Sequence, residues 1–221
     1  MARLIVNNTN RGSRFFIVPI CTSSEMCRGV TSTRLTPRSG TSPLDFSITS
    51  FNHVLLPDTA LVASDISDLA ARKAPLEAWW DEVWRIQLGT LSVPAPWINA
   101  TKMIAYIGGR YSMWRCITGK GVSSEPLPIL AFRTQQWPIA HATAVGMVMD
   151  AWYPRVLQEA MEVGKGDGRV MHALAVVVKA TVCRHFQRCV AEVAERCGAQ
   201  WSLEANYMAR IEVRYIFFSD P

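Results

Sequence analysis

The side chains able to do chemistry in this chain are few and widely spaced. Four histidines stand at positions 53, 141, 172 and 185. None is paired locally with a serine or cysteine in a frame that makes a nucleophile and its base. His172 and His185 fall thirteen residues apart on one expected helix, on different turns and near-opposite faces. A helical metal site wants two ligands on one face, three or four residues apart, so this spacing argues against one. The six cysteines, at 21, 27, 116, 183, 189 and 197, lack the paired spacing of a zinc site. Cys183 and Cys189 lie about a turn and a half apart on a helix and point in different directions. All six read as small buried hydrophobes.

Phosphate and ligand signals are also weak when taken singly. Gly40-Thr41-Ser42 lacks the frame of a nucleophile elbow. Gly164-Lys165-Gly166-Asp167-Gly168 has the glycines of a phosphate cradle. It has no preceding strand and no Ser or Thr in the required place, so it reads as a helix–helix loop. Gly108 and Gly109 sit together inside a helical pattern, where each costs about 1 kcal/mol relative to alanine. The pair therefore marks close helix packing or the close approach of a ligand. Trp79, Trp80, Trp84 and Trp97 crowd into nineteen residues. They read as core, or as the wall of a pocket for a planar ligand.

The whole chain bounds what can hold these residues. Its 221 residues are 49% apolar and 19% charged, enough for one large domain or two small ones with a real core. The net charge of +5 comes from 23 basic and 18 acidic residues. The densest basic cluster, Lys179, Arg184, Arg188 and Arg196, is diluted by Glu192 and Glu195. No nucleic-acid partner is expected from so mild and mixed a charge. The longest aliphatic run, Ala173 to Val178, ends at Lys179 and is far too short to span a bilayer. The N-terminal apolar block is too short for a secretory signal. The expectation is a soluble intracellular protein without disulfides.

Composition shifts near residue 75. The first part is rich in Thr, Ser, Pro, Gly and β-branched residues. Leu4-Ile5-Val6 and Phe15-Phe16-Ile17-Val18 predict two strands around a turn at Asn7–Ser13. Val30–Leu35 and Phe46–Leu56 predict two more. The pattern is antiparallel, not βαβ. Four helices follow. The first runs from Leu76 to Leu91 after Pro75, and the second from Trp97 to about Ile117, apolar nearly all round and so deeply packed. The third opens at Leu127-Pro128 and runs to about Val163. It carries Trp137, Ala140, Ala144, Met147, Val148 and Ala151 on one face, with Pro138 near its first turns as the site where a kink would fall. The fourth runs from Arg169 to Cys197 and stops at Gly198. Short loops imply an antiparallel bundle. The expected fold class is α+β: a partial antiparallel β-domain over residues 1–74, then a helical bundle over 75–221.

The order of certain strings resembles the acyl-CoA oxidase and acyl-CoA dehydrogenase superfamily, the oxidase branch more closely. Arg14-Phe15-Phe16-Ile17-Val18-Pro19-Ile20 resembles its "FxVP" strand. Gly29-Val30 resembles its "pGv" turn, with Arg38-Ser39-Gly40-Thr41 matching the glycine that follows. Phe51-Asn52-His53-Val54-Leu55-Leu56-Pro57 resembles the "FxxVxxP" strand that closes the family's middle β-domain. Arg110-Tyr111-Ser112-Met113-Trp114-Arg115 resembles "YxxxR", and Pro128-Ile129-Leu130-Ala131-Phe132-Arg133-Thr134-Gln135-Gln136 is similar to "ILxFQTQQ". Arg196-Cys197-Gly198-Ala199-Gln200 resembles "CGGxG".

The resemblance implies FAD as cofactor and α,β-dehydrogenation of an acyl-CoA thioester, in fatty-acid or secondary (toxin or polyketide) metabolism. Arg115 matches the arginine that approaches the FAD pyrophosphate, a role that suits a guanidinium's paired donors. Gln136 matches a glutamine near the adenosine portion. Gly198 matches the first glycine of the flavin-contacting turn. The chain departs from the family in other places. Arg133 replaces a glutamine, and Ala199-Gln200-Trp201 replaces the rest of the glycine turn, where Trp201 would crowd the cofactor. The family's N-terminal helical domain and its catalytic-glutamate segment find no match, so the catalytic residue is unassigned and neither Glu204 nor Glu212 is nominated. The expected chain is a truncated relative. It is an acyl-CoA-binding flavoprotein that forms a homo-oligomer or pairs with a related subunit, or it is a non-catalytic partner of a full-length relative. A peroxisomal or cytoplasmic location is implied, although Ser219-Asp220-Pro221 is not the Ser-Lys-Leu peroxisomal address.

Overall fold

The computed structural model describes residues 1–36, 46–62, 86–118, 125–163, 168–203 and 205–212. Two compact units divide the chain, Met1–Arg85 and Ile86–Pro221. The expected boundary at 74/75, Trp79, Trp80, Trp84, Arg38–Thr41, Lys165, Glu204 and the last nine residues lie outside the described residues.

The first unit is built from short antiparallel pairs. β1 (Ala2–Val6) pairs with β2 (Thr9–Arg14). The turn between them is Asn7-Asn8 alone, at φ 50° and 62°. Two left-handed residues give the tight hairpin turn whose twist suits the flanking strands, and asparagine tolerates that region. The turn is thus shorter than expected, and most of the predicted turn segment is strand. Phe15–Ile17, expected as a strand, makes only a local pairing with residues 60–62. The Ile17 N–H donates to the Ala60 carbonyl at 2.8 Å, and the Val62 N–H to the Phe15 carbonyl at 3.0 Å. β3 (Val30–Arg34) and β4 (Ser47–Phe51) pair in register from Val30↔Phe51 to Arg34↔Ser47. β4 stops short of the predicted Leu56 because His53 takes φ 50°, which a strand does not hold. Gly29 sits at φ +81°, and a Cβ there would overlap the Asn52 carbonyl oxygen. Only glycine fits where β3 begins.

The second unit is the helical bundle. Residues 86–92 are helical. Then follow α1 (Pro94–Trp114), α2 (Arg133–Val163) and α3 (Gly168–Arg196). α1 begins at Pro94, three residues before the predicted start, because proline's fixed φ suits the first helical position. α2 begins at Arg133, later than predicted. Leu127-Pro128 is instead β6, paired with β5 (Cys116–Ile117), and a 3-10 turn at Ile129–Ala131 separates it from the helix. α2 runs through both Pro138 and Pro154.

Side-chain contacts fix the helix directions. Gln135, early in α2, reaches Ser112, late in α1. Lys102 in α1 meets Asp150, further along α2, at 2.9 Å. Gln135 also reaches Arg196, and His141 reaches Glu192. α2 is therefore antiparallel to both α1 and α3. Their shared core holds Ile104, Val178, Val182, Phe186, Val190 and Val193, all essentially inaccessible. Trp97 stacks on Phe186 with ring centroids 5.2 Å apart, so this tryptophan is core. Gly108 resolves as helix packing, since a Cβ there would overlap Val193 Cγ1.

Two faces differ from expectation. The buried face of α2 is Pro138, Ala142, Gly146, Met149, Val156 and Ala160. The predicted apolar face points outward, with Trp137 68%, Met147 65% and Val148 67% exposed. α1 is not buried all round either, because Tyr106, Met113 and Trp114 are exposed. Of the cysteines, 183, 189 and 197 are buried as expected, but Cys21 and Cys116 are exposed and Cys27 is half-buried. Burial pushes the Cys189 thiol up to about 11 and raises that of Cys197. Among the described residues no helix is long and apolar enough to cross a membrane. No cluster of metal-ligating side chains occurs among them.

Candidate functional site

Three helix ends meet at one end of the bundle, and each carries one of the residues singled out by sequence. α1 ends where Arg115 turns extended, at φ −76° and ψ 111°, its N–H donating to the Tyr111 carbonyl. The Arg115 carbonyl accepts from the Ile129 N–H at 2.8 Å. The β5–β6 ladder thus locks the exit of α1 to the entry of α2. Arg115 itself is exposed. Its backbone is held on both sides, and the long side chain reaches out from a rigid anchor.

At the α2 entry, the N–H groups of Gln135 and Gln136 both donate to the Phe132 carbonyl, at 2.9 and 3.1 Å. Gln136 is exposed, and its Nε2 folds back to the Leu130 carbonyl at 2.9 Å. Its carboxamide is therefore oriented by its own helix start. Arg133, also exposed, opens the same helix.

The α3 exit is the third part. Cys197 closes the helix, its N–H donating to the Ala194 carbonyl at 2.9 Å. Gly198 follows at φ +61° with nothing within 4 Å of where a Cβ would stand. The left-handed backbone, not crowding, selects glycine here. A 3-10 turn, Gly198–Ser202, comes next. Trp201 within it is half-buried and packs against the bundle core. Arg196 in the last turn of α3 contacts Glu195 at 3.0 Å.

The residue that joins these ends is one the sequence reading passed over. Gln135 is 9% exposed. Its Nε2 donates to Ser112 Oγ at 2.9 Å and to the Arg196 carbonyl at 2.8 Å. Ser112 Oγ in turn donates to the Gly108 carbonyl at 2.7 Å. The only sequence signal was a second glutamine beside Gln136. Arg115 at the α1 exit, Arg133 at the α2 entry and Arg196 in the last turn of α3 thus stand at one end of the bundle, with Glu195 ion-paired to Arg196. The exposed Arg115 and Arg133, near the Gly198 turn, suit a phosphate-bearing ligand, while Arg196 is half-buried and paired with Glu195.

Other groups stand apart from this end. His141 Nδ1 meets Glu192 Oε2 at 3.1 Å, and Arg188 Nε donates to Glu192 Oε1 at 2.7 Å. Arg188 holds the Glu192 carboxyl below its ordinary range, with His141 helping and burial opposing. His172 and His185 do not pair with each other in any described contact. Glu212 sits half-buried in the helical turn at 207–212, and burial raises its carboxyl above the ordinary value. A cavity of about 510 Å³ lies between α1 and that turn, walled by Val93, Pro96, Trp97, Met103, Tyr207 and Ile211. In the first unit a second cavity, about 450 Å³, is lined by Phe16, Val18, Ile20, Phe51, Val54 and Leu56 among others.

No family model matches the chain. Solved structures do. Acyl-CoA oxidase 1 from Yarrowia lipolytica is similar with a TM-score of 0.75 at 18% identity, over 97% of this chain and 35% of that one. Arabidopsis thaliana acyl-CoA oxidase 1 gives 0.74 at 18% identity, over 97% and 34%. Acyl-CoA oxidase-1 of Caenorhabditis elegans, complexed with FAD and ATP, gives 0.72 at 21% identity, over 97% and 33%. The chain spans about a third of the length of these structures. Over that third, it has the fold of an acyl-CoA oxidase.

Proposed function

We propose that this chain is an acyl-CoA oxidase-like flavoprotein segment whose bundle end binds the nucleotide part of FAD. The observation that carries the reading is the convergence of Arg115, Gln136 and the Gly198 turn at one end of the bundle, bound together through Gln135. The residues suit the group. Arg115 offers an exposed guanidinium on an anchored backbone for the pyrophosphate, Gln136 an oriented carboxamide for the adenosine, and Gly198 an open position at the start of its turn. When bound, FAD supplies a two-electron acceptor, and the proposed reaction is α,β-dehydrogenation of an acyl-CoA thioester. No residue is assigned as the base. A peroxisomal or a cytoplasmic setting is compatible with this reading.

The test is the absorption spectrum of the purified chain with and without added FAD, followed by flavin titration of variants. A bound-flavin spectrum is expected. Arg115→Ala should weaken FAD binding about tenfold or more, the scale of a lost charge-assisted hydrogen bond. Arg155→Ala, an exposed arginine further along α2, should change it less than twofold. Equal titrations for all three proteins, or no uptake by any, would overturn the reading.

A second reading has its own observation. The outward apolar face of α2, with Trp137, Met147 and Val148 exposed, suits a chain that assembles with a copy of itself or with a full-length relative. In that reading the chain is a structural partner and need not turn over substrate. Light scattering of the chain alone and after co-expression with an intact oxidase separates the two assemblies.

A further inference from the structure

We infer that Gln135 is the positioning residue of the nucleotide-binding end, holding the exit of α3, and so the Gly198 turn, in the geometry that end presents. This inference rests on the FAD reading above. The last carbonyls of any helix lack intrahelical donors. In α3 the Arg196 carbonyl obtains one from outside, the Gln135 Nε2 at 2.8 Å. Gly198 lies two residues further on, at φ +61° with open space around it. No side chain packs at the Cβ position of Gly198; the turn is held on its far side by Trp201 against the core and on its near side by the Arg196 carbonyl that Gln135 fixes.

The carboxamide orientation is forced. Turned over, Gln135 would set its oxygen against the Arg196 carbonyl, acceptor to acceptor. Ser112 Oγ completes the arrangement, because it gives its own proton to the Gly108 carbonyl and is left as an acceptor for Gln135. One buried side chain thus couples the ends of α1, α2 and α3. It stands beside Gln136, whose side chain faces solvent. Two adjacent glutamines divide the work: one is offered to the ligand, and the other sets the surface on which the ligand rests. A leucine at 135 would fill the space but leave the Arg196 carbonyl with no donor. The helix exit would then settle by bonding water, and the turn would move with it.

The experiment compares the intact chain with Gln135→Leu, Ser112→Ala and the core variant Val182→Ala, matched for residual stability by choice of temperature. Two readouts are taken, amide hydrogen exchange over residues 197–203 and FAD affinity by flavin fluorescence. Gln135→Leu should speed exchange in that segment about tenfold and weaken FAD about tenfold. Ser112→Ala keeps the bond to Arg196 and should change both less than about threefold. Val182→Ala should leave the segment's exchange and FAD affinity unchanged. If Gln135→Leu does no more than Val182→Ala at matched stability, Gln135 is only a packing residue and the inference fails. If the unaltered chain takes up no FAD, the FAD reading fails and takes the nucleotide role of Gln135 with it. The exchange data then decide separately whether Gln135 holds the turn.

Discussion

At the scale of single residues, the two informative glycines of the bundle do different work. Gly198 is required by its left-handed φ and not by space. Gly198→Ala should therefore cost about 1–2 kcal/mol through backbone strain alone, read as a lower urea midpoint with an unchanged slope. Gly108 is required by space, since its missing Cβ makes room for Val193. Gly108→Ala should cost about 1–3 kcal/mol as overpacking, and adding Val193→Ala should recover part of that loss. No such recovery is expected with Gly198→Ala. The cysteines offer a second residue-level test. Cys21 and Cys116 should be alkylated within minutes at pH 8. Cys183, Cys189 and Cys197 are buried, with the Cys189 thiol pushed up to about 11, and should react only on unfolding. Mass spectrometry of each peptide checks the order. Two glutamates give opposite pH signatures. Glu192 is held low, chiefly by Arg188. Its contribution is complete above the unfolded carboxylate value of about 4.3 and is lost as pH falls through the lower native value. The stability gap to Glu192→Gln should be full above pH 5 and shrink in more acidic solution. Glu212 is held high by burial. Its relative contribution is complete below the unfolded value and lost as pH rises through the native one. Glu212→Gln should therefore be at least as stable as the parent at pH 7, as thermal melts of the two proteins at that pH would show.

At the scale of elements, α2 decides what the sequence pattern could not. Its apolar residues occur on two faces, and the face with the larger side chains, Trp137, Met147 and Val148, is the exposed one. Ala142, Gly146, Met149, Val156 and Ala160 pack inward, where small residues let α1 and α3 come close. The expected costs follow from burial. Met149→Ala should lower stability by about 2–5 kcal/mol, while Val148→Ser should stay within about 0.5 kcal/mol. Denaturant titration of the two variants distinguishes the faces. The three long helices from α1 to α3 were legible, as were β3 and the stop at Gly198, because proline, glycine and apolar spacing act locally; most of the first predicted helix lies outside the described residues. The β-domain was less so. Asn7-Asn8 makes a two-residue turn inside a longer run of turn-forming residues, and propensity does not say which two of them bend. The start of α2 at Arg133 depends on Leu127-Pro128 pairing with Cys116-Ile117, a contact that local composition does not reveal.

At the scale of the whole molecule, the fold matches about a third of an acyl-CoA oxidase, and the bundle leaves a broad apolar face on α2. Replacing Trp137 and Met147 together with glutamate should leave the melting temperature nearly unchanged. It should also shift the mass seen by light scattering to that of a 24.7 kDa monomer. A mass that is the same with and without the replacements would exclude this face as the contact.

What the sequence by itself determined was the order of elements, the class of fold and three residues with a role to test. Those depend on short-range rules and on strings whose order survives at low identity. What only the tertiary structure decided was that Arg115, Gln136 and Gly198 share one end of the bundle, and that Gln135 is what joins them. Ser112, Gln135 and Arg196 lie 23 and 61 residues apart in the chain. No periodicity or motif relates positions at such separations. They meet because close packing of three helices leaves one buried donor facing two acceptors, and a buried donor must be satisfied.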